Sequence, residues 1–261
     1  MNGKRILRFA LVCALVLAWM LAGSGCFSLP RHVTLSNDYT TLSATPDAQQ
    51  VYRIEIANMT FTNSENVAIN IVYSDAPSVE AVVSRDLLDY GFAITVRNGI
   101  LRVAPARALN IQTERFELTI HALFNEVDLS GGYEVAIDAN DAPGALALNV
   151  SGAASGSVSN LYGSDFEARI SGAGMFTLYG AVDRASLHIS GAGSIEGAGL
   201  ICNALEAKIS GAGDMVISVV DELEAKVSGI GSIEYYGAPV VTQSISGLGS
   251  VSQKSEHFPG A

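Results

Sequence analysis

The tetrapeptide SGAG begins at Ser171, Ser190 and Ser210, and the variants SGIG and SGLG begin at Ser228 and Ser246. Two degenerate copies lie upstream, SGGY at residue 130 and SGAA at residue 151. Successive serines are 21, 20, 19, 20, 18 and 18 residues apart. A near-constant period in this range is typical of repeat architectures, in which each unit buries its apolar face against its neighbours.

An alternating segment precedes each copy. Residues one, three and five positions before the serine are apolar in nearly every copy, and the residues between them are polar, as in Phe166–Ile170 (FEARI). A period of two indicates a β-strand with one buried face. A further apolar position follows five residues after the serine, from Phe176 to Val251. Each unit therefore reads as a strand, a glycine corner, a second strand and a looser return.

The glycines of the corner suggest how the units stack. Strands in register lie about 4.8 Å apart, so a column of stacked corners accepts only small residues. We expect the serine hydroxyls to hydrogen-bond along this column. The alternative, a β-sandwich or barrel, would have turns of mixed chemistry and not one corner in one register. The repeat therefore predicts an all-β fold, a right-handed parallel β-helix.

Residues 1–26 have the pattern of an export signal. Three basic residues precede an apolar run of fourteen, Phe9–Ala22, which is too short for an ordinary membrane span of about 20 residues. The run closes at Leu21–Cys26 (LAGSGC), which resembles the lipobox of bacterial lipoproteins, although Gly23 stands where that motif prefers leucine. We predict a lipoprotein signal with lipidation at Cys26. A plain cleaved signal and an uncleaved anchor are the alternatives.

The rest of the chain divides into two parts. Residues 27–50 are rich in polar residues and proline and predict a flexible tether. Residues 51–261 show no linker-like break, and we predict one domain. Its first strands, with a hairpin at Asn98-Gly99 and a helical turn over 86–90, are expected to cap the β-helix, because end coils expose edges.

Charge and cysteine content restrict the classes of partner. After removal of residues 1–25 the chain keeps 12 Lys and Arg against 26 Asp and Glu, a net charge near −14. Such a chain is repelled by phosphate backbones, so a nucleic-acid partner is not indicated. Cys202 is the one cysteine left beside Cys26 and predicts a buried apolar side chain, not a reactive thiol.

Two surface patterns are candidate binding sites. Two columns of charge run between the buried positions of successive units. The acidic column consists of Glu167, Glu206 and Glu224, and the basic column of Arg169, His188, Lys208 and Lys226. They are consistent with a glycan-binding strip, or with opposite charges that offset each other in a stacked sheet. Four tyrosines close to glycine suit either sugar stacking or packing over the turns; they are Tyr162, Tyr179, Tyr235 and Tyr236.

Motifs for catalysis, metals or cofactors are not indicated. The four histidines lie in unrelated stretches without paired cysteines. Ser210–Asp214 (SGAGD) has the form of a calcium-binding Gly-Asp repeat, but the other units lack the aspartate. No nucleophile elbow or paired-acid motif is visible.

Three stretches together resemble the bacterial family of putative auto-transporter adhesins, head GIN domain. They are Ser84–Val103, Phe116–Ile137 and Val227–Lys254, the last with Tyr235-Tyr236-Gly237 and Pro239 between its two corners. The resemblance covers about residues 51–254 and implies an exported β-helix related in shape to pectin lyases but without their catalytic residues.

These observations predict a non-enzymatic adhesion or scaffold module of the bacterial cell envelope, held to the membrane through lipidated Cys26. A glycan-binding module and a polysaccharide-cleaving β-helix are the alternatives. An envelope glycan or protein is the expected partner, and the sequence gives no oligomeric state.

Overall fold

The structure is a computed structural model that describes residues 30–46, 51–63, 66–140, 142 and 144–255. All described secondary structure belongs to the unit Arg31–Ala261. The predicted signal segment 1–26, with Cys26, lies outside the described residues. No helix within these ranges is long and apolar enough to span a bilayer.

The described chain is all-β, with one four-residue helix. Its N-terminal part consists of β1 (Arg31–Thr34), β2 (Tyr39–Ala44), β3 (Arg53–Phe61), β4 (Val67–Tyr73), β5 (Ser78–Ser84), α1 (Asp86–Asp89), β6 (Ala93–Arg97), β7 (Ile100–Ala104), β8 (Leu109–Gln112) and β9 (Phe116–Ala122). The C-terminal part consists of β10 (Glu126–Gly132), β11 (Glu134–Asp138), β12 (Ala145–Val150), β13 (Ser155–Ile170), β14 (Ala173–Ile189), β15 (Ala192–Ile209), β16 (Ala212–Val227), β17 (Ile230–Tyr236), β18 (Val240–Ile245) and β19 (Leu248–Gln253).

Strands β10–β19 wind into a β-solenoid of about six turns. Each strand pairs in parallel with the strand one repeat later, so that Phe166 lies beside Ala185 and Ala185 beside Leu205. The apolar positions before each corner are buried in every coil but the last, whereas the residues between them are half-buried or exposed. The alternation read from the sequence is therefore confirmed, and it places the core inside the coils.

The glycine corners stack directly on one another. A Cβ built on Gly172 or Gly191 would lie 1.9 Å from the carbonyl oxygen of the glycine in the preceding coil. The backbone bonds advance by one coil at a time, from Ala192 N to Gly172 O at 2.9 Å and from Ala212 N to Gly191 O at 2.9 Å. The close approach explains the glycine, because any side chain would meet main chain that cannot move away.

The corner serines differ from the expected ladder. Ser171 Oγ donates to Val150 O at 3.3 Å, and Ser210 Oγ lies 3.3 Å from His188 Nε2. Hydroxyl-to-hydroxyl bonds between stacked corner serines do not occur in the described part of the chain, so that prediction is wrong. The reason is orientation, since these serines face solvent and the column is joined through backbone groups.

The return segments are more regular than predicted. Strands β13–β16 run for 16 to 18 residues from one corner to the next, without a loose return. Their bends appear as shifts of pairing register, for example between Thr177 and Tyr179. Extended backbone can bend at such irregularities while it keeps hydrogen bonds to both neighbouring coils.

The N-terminal strands form a mixed, curled sheet continuous with the solenoid. Strand β3 pairs in parallel with β10 on one side and with β7 on the other, and β5 runs antiparallel to β9. The predicted hairpin is confirmed: β6 and β7 are antiparallel, with positive φ at Asn98 (50°) and Gly99 (78°). The helical turn is also confirmed as α1.

The predicted tether overlaps ordered structure. Strand β1 pairs with β8, and β2 pairs antiparallel with β5. The prediction of a flexible tether over 27–50 is therefore wrong for residues 31–34 and 39–44. These strands lack a clear apolar period because most of their side chains are exposed or half-buried, and the partners that order them are remote in sequence.

Candidate binding groove on the charged face

Most charged side chains of the solenoid lie on one side of it. We call this side the charged face; it consists of the outward positions two, four and six residues before each corner serine. Pairing register places equivalent residues of successive coils side by side. Its polar members in the four central coils are Asp165, Glu167, Arg169, Arg184, Ser186, His188, Glu206, Lys208, Glu222, Glu224 and Lys226.

A shallow groove of about 1040 Å³ follows this face across the strands, from Glu126 to Val240 and Thr242. Small residues such as Ala147 and Ala204 leave space between the charged side chains. Six carboxylates and two guanidinium groups line the groove; they are Glu126, Asp165, Glu167, Glu206, Glu222 and Glu224, with Arg169 and Arg184. The floor is therefore acidic, and its length suits an extended polar ligand better than a small enclosed one.

Neighbouring charges on the face are paired. Arg169 bonds Glu167, Lys226 Nζ lies 2.5 Å from Glu224 Oε1, and Arg184 Nε donates to Asp165 Oδ1 at 2.8 Å. Hydrogen bonds from Ser164 and Arg184 hold the pKa of Asp165 below its usual range. Opposite columns thus offset the repulsion that in-register stacking of like charges would cause. Exposed pairs contribute only about 0–1 kcal/mol each.

His188 lies in the basic column with its charge suppressed. Partial burial lowers its pKa first, and the positive charges of Lys208 and Arg169 lower it further. Its ring contacts Ser210 Oγ of the next corner. His188 is therefore a neutral hydrogen-bonding group at neutral pH, between two cationic neighbours.

The charged face continues onto the N-terminal sheet. Arg53 bonds Asp128 and lies 3.7 Å from Glu126, and Arg102 bonds Glu55. Asn149 Nδ2 donates to both carboxylates, to Glu126 at 3.1 Å and Asp128 at 2.9 Å. This network joins the first repeat to the sheet before it. Sequence reasoning missed it because β3 and β7, which carry the arginines, have no corner motif on which to align them.

The tyrosines fall into two groups. Tyr236 is buried with Lys254 Nζ 5.8 Å from its ring centre, and Tyr235 packs against the core. Tyr162 and Tyr179 are about half exposed, and the ring of Tyr179 covers Gly199. Tyr235 and Tyr236 therefore pack against the protein, whereas Tyr162 and Tyr179 present ring surface to solvent outside the lining of the groove.

Cys202 is a free, fully buried thiol whose Sγ donates to Ser218 O at 3.4 Å. Burial raises the pKa of its thiol to about 12. The prediction of a buried apolar side chain is confirmed. The thiol is therefore not ionised at neutral pH, and Cys202 serves as a packing residue of the core.

The remaining candidates form no cluster. Asp214 Oδ1 accepts hydrogen bonds from Ser232 N at 2.9 Å and Ser232 Oγ at 2.6 Å, which joins two corners. Within the described residues, no three His, Cys, Asp or Glu side chains are arranged to hold a metal ion.

The charged face is wider than the sequence suggested. The position six before each serine also faces outward, as at Asp165, Arg184 and Glu222. Continuing the period of two by one step would have found it.

Comparison with known proteins gives a family and a fold. A family profile described as putative auto-transporter adhesin, head GIN domain, matches residues 60–239. The solved structure of a putative adhesin from Bacteroides fragilis has a TM-score of 0.73 and 21% identity, covering 85% of this chain and 100% of that one. No curated protein matches the chain.

Two structures from Parabacteroides distasonis are also similar. A putative lipid binding protein has a TM-score of 0.61 at 20% identity, covering 86% of this chain and all of that one. A putative adhesin has a TM-score of 0.59 at 22% identity, covering 85% of this chain and all of that one. At these identities the likeness shows the fold alone.

Proposed function

Since this chain belongs to the bacterial family described as putative auto-transporter adhesin, head GIN domain, we propose that it is a non-enzymatic, exported adhesion or scaffold module of the cell envelope. The match over residues 60–239, which takes in most of the described sheet, carries the proposal. Lipidation of Cys26 would hold the domain at the membrane, with residues 27–30 as the link to β1.

The chemistry of the charged face supports a non-enzymatic role. A glycosidase needs one carboxyl with a raised pKa as general acid, close to a second carboxylate. In the groove, Asp165 has a lowered pKa and is paired with Arg184, and Glu167 and Glu224 are also in ion pairs. Incubation with a panel of envelope and plant polysaccharides tests this role. Release of reducing or unsaturated ends would contradict it, and no release is expected.

The coils are proposed to be right-handed and of the pectin-lyase type. The support is general: connections between parallel strands in one sheet are right-handed in nearly all proteins, because of strand twist. A crystal structure of this chain would decide it, and left-handed coils would contradict it.

The anchor can be tested on the cell membrane fraction. Mass spectrometry is expected to find a diacylated Cys26 as the mature N-terminus. Cys26→Ala should abolish lipidation and release the protein from the membrane fraction. Cys13→Ala is the matched control, because it removes a thiol from the apolar run without touching the cleavage motif. A mature N-terminus elsewhere, or equal behaviour of both variants, would overturn the anchor.

A second candidate function, glycan binding, is favoured by the groove. Its acidic floor and spaced small residues suit a neutral or amine-bearing polysaccharide that lies across the strands. A glycan array followed by calorimetry tests this function. Glu206→Gln is expected to weaken binding about tenfold, since a charge-assisted hydrogen bond contributes roughly 1.5–3 kcal/mol.

The matched control for Glu206→Gln is Glu196→Gln, which makes the same change at an exposed residue of β15 outside the groove. Equal loss in both variants, or no ligand on the array, would remove the groove as a glycan site. A pull-down against envelope fractions then separates protein binding from a pure scaffold role.

A further inference from the structure

The last coil of the solenoid ends in an open sheet edge. Strand β18 pairs only with β16, and β19 pairs only with β17, among the described strands. Each therefore has one edge whose backbone N–H and C=O groups have no strand beside them. Such an edge is a template for a further strand, and natural proteins usually protect it with charge, proline or a covering segment.

The two edge strands lack the first two kinds of protection. The strands Val240–Ile245 and Leu248–Gln253 contain no charged residue and no proline. In the preceding coil, Glu224 and Lys226 stand beside Thr242 and Ser244. The charge columns that run through the interior coils thus stop one coil before the end, which leaves an edge that would not repel a copy of itself.

Exposed aliphatic side chains collect at the same end. The corner position that is alanine in four earlier coils is Ile230 and then Leu248, which are 60% and 78% exposed. Val240 is 75% exposed and Ile245 is 43% exposed. A soluble end coil normally has a polar outer face. Strands β18 and β19 instead combine exposed aliphatic side chains with a lack of charged residues.

We propose that this end is an interface at which two copies of the chain meet end to end around a two-fold axis. A second copy suits the edge because two neutral edges of this kind attract through backbone bonds and apolar contact alone, without a need for opposite charge. Two-fold contacts close on themselves, so the pairing would stop at a dimer. It would continue the stacked sheet from one copy into the other.

Symmetry and strand alternation together fix the register. A two-fold axis through Gly247 sets β18 of one copy antiparallel to β19 of the other. It brings Thr242 opposite Ser252 and Ser244 opposite Ser250 on the outer surface. Inward residues then also meet inward residues, with Gln243 opposite Val251. A shift of one residue would put core side chains opposite solvent side chains. Two such strand pairs supply on the order of ten backbone hydrogen bonds, a usual number for a specific interface.

The first test is the mass of the purified full-length chain by light scattering and sedimentation over a dilution series. A dimer is expected, and Leu248→Lys together with Val240→Lys should raise its dissociation constant at least tenfold. Val220→Lys is the matched control, an aliphatic residue 42% exposed in an interior coil. A monomer at every concentration, or equal loss in the control, would overturn the interface.

The second test reads the register directly. Ser244→Cys and Ser250→Cys chains are prepared separately, mixed, allowed to exchange and oxidised. Opposed residues in an antiparallel pair have Cα atoms about 4.5–5.5 Å apart, within the range of a disulfide. The mixture is expected to give a linked dimer and each chain alone none. A dimer that links in neither case, or equally in all, would place the contact elsewhere and overturn the proposal.

Discussion

The two halves of the sheet reach the same parallel stacking by different means. In the solenoid, each coil pairs with the coil 18 to 21 residues away, and one corner motif repeats the same close contact. In the N-terminal sheet, Arg31 pairs with Leu109 and Arg53 with Ile100, so the partners are remote and share no motif. Because of the repeat, each strand of the solenoid pairs with a strand that is close to it in sequence. Strands of the N-terminal sheet can pair only after long loops have closed.

The stacked column even extends past the motif. Gly131 of the first degenerate corner lies against Met59 O of β3, to which a Cβ at residue 131 would approach within 2.1 Å. The next residue of β3, toward the N-terminus, is Asn58, with a φ of 65°. Asparagine there adopts the left-handed backbone that glycine often supplies in turns. The stacked column therefore continues onto β3, where the residue at the shift of register is an asparagine.

The largest expected effect comes from breaking the column itself. Gly191→Val would place a branched side chain 1.9 Å from Gly172 O, where only backbone could move. We expect a loss of about 3 kcal/mol or more in the free energy of unfolding, measured by urea denaturation. Ser190→Ala, at an exposed residue of the same corner, should change it by less than about 0.5 kcal/mol. Equal tolerance of both variants would refute the stacked column.

Two buried phenylalanines test whether the solenoid and the N-terminal sheet unfold differently. Phe176 of the solenoid and Phe116 of the N-terminal sheet are each 1% exposed, and Phe116 also packs 4.9 Å from Phe61. Either change to alanine should cost about 3–5 kcal/mol. Hydrogen exchange should then rise in the coils next to Phe176, but across most of the N-terminal sheet for Phe116→Ala. The same spread of exchange in both variants would show that the halves unfold as one unit.

The ion pairs between β3 and β10 are expected to contribute less to the free energy of unfolding. Arg53→Met removes the partner of Asp128 and Glu126 between β3 and β10. The side chain of Arg53 is 36% exposed, so solvent screening limits the expected loss to about 1 kcal/mol, and high salt should shrink it. Arg85→Met, from a pair more than half exposed, is the control and should cost close to nothing. A larger loss in the control would assign the effect to packing and not to charge.

The smallest effect expected is a pH dependence at His188. Its pKa is lowered in the folded protein by burial and by Lys208 and Arg169, so the unfolded chain binds the proton more tightly. The stabilisation by neutral His188 is then complete above the ordinary value of 6.5 and is lost as pH falls below it. Unfolding at about pH 5 and about pH 8 should show a smaller pH difference for His188→Gln than for the native chain. An unchanged or larger difference would contradict this linkage.

Local sequence pattern was sufficient where one residue type has one possible structural reason. Corner glycines, the alternation in Phe166–Ile170 and the Asn98-Gly99 hairpin each followed from a local rule, and each is present in the structure. It failed at β1 and β2, whose polar strands are ordered by partners far along the chain. It also failed at the serine hydroxyls, whose direction depends on how tightly the corners pack.

The candidate site shows the same division. The acidic and basic columns could be predicted because residues one repeat apart in sequence lie side by side when the strands pair in register, as Glu206 and Glu224 do. The depth of the groove could not be predicted, since it depends on which small residues lie between the charged side chains. The join to Arg53 and Asp128 was not readable either, since no repeat connects those segments.

Local spacing along the chain is enough to specify the repeat, the inward and outward faces of its strands and the glycine column, because all three depend on neighbouring residues. The curled N-terminal sheet, the groove and the neutral open edge at β18 and β19 follow instead from the folding of the whole chain. These depend on which distant segments come together and which are left without a neighbour. Hydrophobic burial and backbone pairing settle that for the whole chain at once.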